Sequence, residues 1–225
     1  MKLLIKFPTR GRPRRFIETF SVYVRMMEDA DTRVLITCDN DDGSMTGPDI
    51  TSQIKKIHKN SEVKFGNNPN KVAAINSDIE GEDFDILMLA SDDMMPVTKG
   101  FDKIIKQEME KHYPDTDGVL WFDDGYQGPD LNTLPIMGRK YYNRFGYIYH
   151  PSYISLWCDQ EFTSVADTLK KQTYIDKMII QHQHPVVPGF THLNDEIYAA
   201  NGYYNEVDME NFWLRQTSNF ELEAV

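Results

Sequence analysis

The sequence predicts a single α/β domain over 1–225, with a mainly parallel, mixed sheet flanked by helices. Three observations predict it. Short apolar runs without helical spacing, such as "LLIKF" and "ILMLA", alternate with stretches whose apolar residues recur at helical period. Several of these runs end in polar turns, where open α/β sheets place their ligands. A chain of 225 residues, with no repeat and no linker to divide it, is long enough to bury one substantial core.

The elements follow in order. Leu3 to Phe7 reads as a strand that starts almost at the first methionine, in an apolar stretch too short for a secretory signal. Pro13 to Met27 reads as a helix, with proline at its start and Phe16, Phe20, Tyr23 and Met27 along one side. Arg33 to Cys38 gives a second strand, closed by the turn-rich "DNDDGS". A polar helix over Pro48 to His58 and a short strand near Val63 to Phe65 lead to the turn "GNNPN" and a helix over Lys71 to Ile79. Residues 85–90 form a buried strand, Val97 to Lys111 a helix, and "DGVLWFDD" another strand. Beyond Gly125 the pattern is less regular and rich in aromatics; a helix is expected over Phe162 to Lys171, and the tail "NEVDMENFWLRQTSNFELEAV" as a helix packed on the core or on a partner.

Composition narrows the function. A formal charge of -11 opposes general nucleic-acid binding, because phosphate contacts supply much of that affinity. Yet "TRGRPRRF" gathers Arg10, Arg12, Arg14 and Arg15, a local positive site of the size of one polyphosphate. No apolar run reaches membrane-spanning length. The two cysteines, Cys38 and Cys158, have neither zinc spacing nor a disulfide framework, which suits a reducing cytoplasm.

Five stretches can carry chemistry. In "FPTRGRP", Pro8 to Arg12, backbone amides, the Thr9 hydroxyl and the forked guanidinium groups of Arg10 and Arg12 can hold a nucleotide; the Walker ending and the GxGxxG pattern are both missing. In "CDNDDGS", Asp39 or Asp41 can accept from a base or ribose. "SDD", Ser91 to Asp93, sets two like charges side by side, an arrangement that solvent or a cation must share. Asp159 and Glu161 in "WCDQEF" can cap a helix or act as a general base. His182 and His184 in "IIQHQHP" would share one face of a strand and could complete a metal site.

Together, "LLIKFPTRGRPRRFIETF", "VLITCDNDDGS", "NKVAAINSDIEGEDFDILMLASDDMMP" and "WCDQEF" resemble, in order and spacing, the motifs of family 2 glycosyltransferases and their GT-A relatives over residues 1 to 185. The resemblance implies a GT-A-like (Rossmann-like) fold, with 1–125 binding a nucleotide-sugar, a UDP-sugar first of all, and 126–225 forming the acceptor side and C-terminal helices. It implies inverting transfer, with Pro8, Thr9, Arg10, Arg12, Asp39, Asp41, Lys71 and Ser91 at the donor. Asp92 would bind Mn2+ or Mg2+, helped by Asp93 and His182 or His184; Asp159, with Glu161 close behind, would be the base. Trp121, Tyr126, Arg139 and Trp157 are the acceptor-side candidates. The chain departs from the family where Ala90-Ser91-Asp92 replaces DXD, where Asp159-Gln160-Glu161 replaces ED, and where Arg10 replaces a small or aromatic residue.

The short chain opening "KFPTRGRP" also resembles small bacteriophage glycosyltransferases. That implies a cytoplasmic enzyme whose acceptor is a saccharide or a hydroxymethylated base of phage DNA, the latter reached through Arg139, Lys140 and Arg144. Two other classes stay open, a nucleotidyltransferase and a non-catalytic sugar-nucleotide-binding protein.

Overall fold

The computed structural model describes residues 1–224. In chain order the elements are β1 (Leu3–Pro8), α1 (Pro13–Met26), β2 (Arg33–Asp39), α2 (Pro48–Ile57), β3 (Ser61–Gly66), α3 (Lys71–Asn76), β4 (Ile86–Leu89), β5 (Met94–Pro96), α4 (Phe101–His112) and β6 (Val119–Asp123). There follow β7 (Ile136–Gly138), α5 (Arg139–Phe145), α6 (Cys158–Thr168), β8 (Gln172–Met178), β9 (Ile180–His182), α7 (Glu196–Gly202) and α8 (Asn205–Thr217). Seven strands form one sheet in the order β3-β2-β1-β4-β7-β6-β8, and β5 pairs with β9 in a separate ribbon. Every pairing in the sheet is parallel except the two made by β7, which runs antiparallel to both β4 and β6. No helix among the described residues is long and apolar enough to cross a membrane.

Strand alternation divides the core into two layers. Leu3, Ile5 and Phe7 point to one face and pack with Phe16, Phe20 and Tyr23 of α1 and with Phe101 and Ile105 of α4. Leu4, Leu35 and Leu87 point to the other, where Val72 and Ile75 of α3, Tyr141 of α5 and Phe162 of α6 cover them. Both faces are therefore dry, which is why the central strands read as unbroken apolar runs. Lys6 is the exception: wholly buried on the second face, it donates to Ser77 O at 2.7 Å and to Thr37 Oγ1, and burial lowers its pKa to about 8.

Several boundaries differ from the sequence expectation for visible reasons. The helix expected from Val97 starts at Phe101, because the amides of Val97 and Thr98 both donate to Ile179 O and hold that stretch beside β9. The helix expected from Phe162 starts four residues earlier, at Cys158. The helix expected to reach Ile79 ends at Asn76, whose side chain accepts from the Ile148 and Tyr149 amides, and Asp78 follows at φ 65°.

The C-terminal helix α8 does pack on the core, and one buried carboxylate shows how. Asp208 has no exposed surface and accepts from the backbone amides of Ile154, Ser155 and Leu156 at 2.9, 2.8 and 2.8 Å. It thereby fixes the loop that leads into α6. Asp208→Ala strands three backbone donors at once, that of Ser155 fully buried, and the expected loss is about 3 kcal/mol, read as a fall in denaturation midpoint at unchanged m-value.

Candidate active site

The carboxyl ends of β1, β2 and β4 meet at a cavity of about 800 Å³. Its walls include Pro8, Thr9, Arg10 and Arg12 after β1, Asp39 and Asp41 after β2, Lys71 opening α3, and Ser91, Asp92 and Asp93 after β4. Asp159 from α6 and His182 from β9 complete it. The donor-side residues singled out in the sequence therefore converge on one space.

Charge in this space is mutually satisfied. Arg10 forks onto Asp41 (2.5 and 2.9 Å) and reaches Asp39 at 2.8 Å, while Asn68 donates to the other Asp39 oxygen at 2.8 Å. The Arg10 hydrogen bonds hold the Asp41 carboxyl below its usual range. Gly11, at φ 71°, turns its amide onto Asp42 at 2.6 Å, which ties the arginine loop to the turn after β2. Two polar atoms near the arginines, Thr9 Oγ1 and Arg15 Nη2, are buried without a protein partner. Such groups are uncommon in folded proteins, and the Thr9 hydroxyl, which lines the cavity, suits a ligand that brings an acceptor oxygen.

The adjacent carboxylates that the sequence set side by side are kept apart. Asp92 turns to Arg12 at 3.1 Å, with Arg15 at 3.8 Å, and its backbone carbonyl accepts from Thr19 at 3.0 Å and Arg15 at 3.2 Å. Burial pushes its pKa up against the pull of Arg12. Asp93 accepts from Ser91 and from the Tyr198 hydroxyl and lies 3.8 Å from His182 Nε2. Burial would raise its pKa, but His182, Ser91 and Tyr198 hold it far down. His182 Nδ1 stands 3.4 Å from Asp124, and between two carboxylates its pKa rises to about 9 in spite of burial. The like charges are thus shared with the protein's own cations.

In kind, two carboxylates and an imidazole nitrogen fit a hard divalent cation. The 3.8 Å gap between Asp93 and His182 is wider than a hydrogen bond. Among the described residues no three such groups converge in this conformation, since Asp92 faces Arg12 instead. His184 lies outside the cavity wall; it follows the end of β9 and stacks on Tyr126 at 4.9 Å.

Asp159 and Glu161 separate cleanly. Asp159 sits in the first turn of α6, lines the cavity and is raised in pKa by burial, with Lys71 the main opposing influence. Trp157 just before it holds a left-handed backbone, φ 61°, an unusual state for a bulky residue. Its ring packs on Phe212 (5.5 Å), and its indole N–H donates to Asn205 at 3.1 Å, so α8 fixes the approach to Asp159. Glu161 is corrected as a candidate base: it is buried in a forked pair with Arg215 (2.7 and 2.9 Å) and accepts from Tyr153 at 2.8 Å, away from the cavity.

The acceptor-side expectations fare less well. Trp121 is buried against Tyr174 in the sheet, and Trp157 faces α8. Arg139 is bound to the carbonyls of Glu82 and Phe84 and lies over the Phe84 ring. Lys140 pairs with Asp115 and Arg144 with Asp117, so the basic run expected at DNA is already neutralised and does not line the cavity. Tyr126 stands beside His182 at 5.5 Å. Asn68, Ser155 and Tyr198 line the cavity although they lie outside the quoted motifs, and so does Asn70, the first residue of "NKVAAINS".

A crystal structure of residues 1–349 of TarS from S. aureus superposes with a TM-score of 0.65 at 13% identity, covering 82% of this chain and 61% of that one. The same fragment in complex with UDP gives 0.63 at 16% identity, covering 97% and 72%. The mannosyltransferase PcManGT from Pyrobaculum calidifontis, in complex with GDP-Man and Mn2+, gives 0.61 at 13% identity, covering 78% and 54%. The fold is GT-A-like. The chain spans 61% of the TarS fragment and 54% of the mannosyltransferase. No family model and no curated protein matches the sequence.

Proposed function

We propose that the protein is an inverting glycosyltransferase that takes a sugar from a nucleotide-sugar donor, a UDP-sugar in the first place, and passes it to an acceptor hydroxyl. One observation carries the reading: a half-buried carboxylate, Asp159, whose pKa desolvation pushes up, shares a cavity with the carboxylates after β4 and the arginines after β1. The GT-A likeness to structures bound to UDP and to GDP-Man supports it.

In this mechanism Asp39 and Asp41 accept from the base and ribose, while Arg12, Lys71 and the unpartnered Thr9 hydroxyl receive the diphosphate. Asp159 takes the proton of the acceptor hydroxyl. The oxygen then attacks the anomeric carbon on the face opposite the diphosphate, and the breaking C–O bond leaves its electron pair on the phosphate oxygen. Burial serves the base, because a carboxylate raised toward the working pH is a stronger proton acceptor. Asp92 and Asp93 would hold Mn2+ or Mg2+, which would neutralise the leaving diphosphate; His182, a cation between Asp93 and Asp124, would join them only on giving up its proton. The acceptor is a saccharide or a hydroxymethylated DNA base; steep loss of activity with salt would mark the DNA.

Thermal shift with a panel of nucleotides and nucleotide sugars, each with and without Mn2+, tests the reading. At a hundredfold excess over Kd a ligand adds about 2.7 kcal/mol, or roughly 5–10 °C for a chain of this size. We expect that rise with UDP and Mn2+ in the wild type, and its loss in Asp92→Ala. No rise with any nucleotide would remove the donor site.

A further inference from the structure

We infer that the outer face of α8 and the turn before it form a saccharide-binding platform continuous with the cavity, so that the acceptor is a neutral glycan of several residues rather than DNA. The inference rests on the transferase reading above and names the acceptor class which that reading leaves open.

Exposed apolar side chains are concentrated here. Of the nine large apolar side chains open to solvent among the described residues, five lie between Tyr203 and Leu214: these two, Tyr204, Val207 and Trp213. Tyr203 is 83% exposed and Trp213 52%. Single exposed apolar residues are ordinary, but a cluster marks a contact surface. The buried side of α8 is made by other residues, Asp208, Phe212 and Arg215, so packing on the core does not account for the cluster.

The platform begins at the cavity. Tyr204 belongs to the cavity wall and is also 41% exposed, so it joins the wall to the outer surface. Trp157, two residues before the proposed base Asp159, has its indole bonded to Asn205 and its ring 6.3 Å from that of Trp213. From Tyr204 to Trp213 the helix rises roughly 13 Å, longer than one sugar ring. A glycan whose end lies at Asp159 therefore has aromatic surface beneath its further residues.

Charge selects the occupant. Residues 185–225 carry seven Asp and Glu; Arg215, their one Lys or Arg, is buried in its pair with Glu161. Asp195 is taken up by Arg12 (2.7 and 2.5 Å) and Asp208 by three backbone amides, but Glu206 and Glu210 stand exposed on α8 among the apolar side chains. These two carboxylates repel a nucleic-acid backbone or an anionic membrane. A second copy packed isologously on α8 would set them against their own counterparts. A neutral sugar meets no such penalty. The C–H bonds on its ring face suit the negative face of an aromatic ring, and its hydroxyls donate to carboxylates.

Binding to immobilised neutral gluco-, manno- and chito-oligosaccharides of increasing length, beside a hydroxymethylated DNA duplex, tests the platform without nucleotide. The wild type, Trp213→Ala, Trp213→Phe and Tyr203→Ala are compared. We expect the wild type to bind a neutral oligosaccharide more tightly as its length grows, and both Ala variants to lose about tenfold in affinity. Trp213→Phe should keep part of it. Both positions are exposed, so the melting temperature should stay near that of the wild type. No binding to any neutral oligosaccharide, Ala variants that bind as the wild type does, preference for DNA, or a dimer in sedimentation that Trp213→Ala splits would each overturn the inference. The UDP thermal shift on the same proteins keeps two failures apart. Glycan binding without that shift removes the donor reading and leaves a saccharide-binding surface; the shift without glycan binding removes the platform alone.

Discussion

Asp159→Asn should lower the rate of sugar transfer by about 10²- to 10⁴-fold while leaving the melting temperature and nucleotide binding near those of the wild type. The amide keeps the shape and hydrogen-bonding size of the side chain but cannot take a proton. Single-turnover rates beside a thermal melt separate this from damage to the fold. The same carboxylate predicts the pH profile. The base works only when ionised, so the rate falls as pH drops through its pKa, and burial sets that limb above the ordinary aspartate range. Lys71 lowers the Asp159 pKa, so Lys71→Gln should move the acid limb of kcat to higher pH. A profile flat across the acid range would remove Asp159 as the base.

Two residues on, Glu161→Ala should do the reverse. It leaves the Arg215 guanidinium buried, with exposure of 8% and one remaining partner in Glu221 at 3.1 Å. Removing one member of a buried ion pair costs about 3–5 kcal/mol, or roughly 10 °C of melting temperature here. Tyr153 loses its acceptor as well. The expected result is a destabilised protein whose surviving folded fraction transfers sugar at nearly the wild-type rate, measured below the shifted melting range. A full loss of turnover in well-folded Glu161→Ala would return this residue to the site.

These opposite outcomes show what was legible. Residues 159 and 161 lie about 200° apart around a helix, so only one can face the cavity. The sequence puts both near a helix start but does not give the phase, because the left-handed turn at Trp157 that begins α6 at Cys158 depends on α8. The donor loops were legible because each follows a strand whose apolar run marks its carboxyl end, as at Pro8, Asp39 and Ser91. β7 was not: three residues, "IMG", in an aromatic stretch carry no period to read. Lys6 in "LLIKFP" gives no sign that it is buried, since its partners Thr37 and Ser77 come from distant parts of the chain. Asp195 and Tyr198 were invisible for the same reason: Arg12 and Asp93 are about 180 and 105 residues away from them.

The β5–β9 ribbon bears on the order of assembly. β1, β2 and β3 pair in parallel from successive strand–helix units within the first 66 residues, so closing them spans short stretches of chain. Met94 pairs with His182 across about 90 residues, through a ribbon only three pairs long. Loop-closure entropy opposes that pairing until β6, α6 and β8 are in place. In kinetic terms, the nucleotide half of the cavity can form on its own schedule, and His182 reaches Asp93 among the last long-range contacts made. Refolding followed by a probe in β1 to β3 should therefore run ahead of recovery of the site.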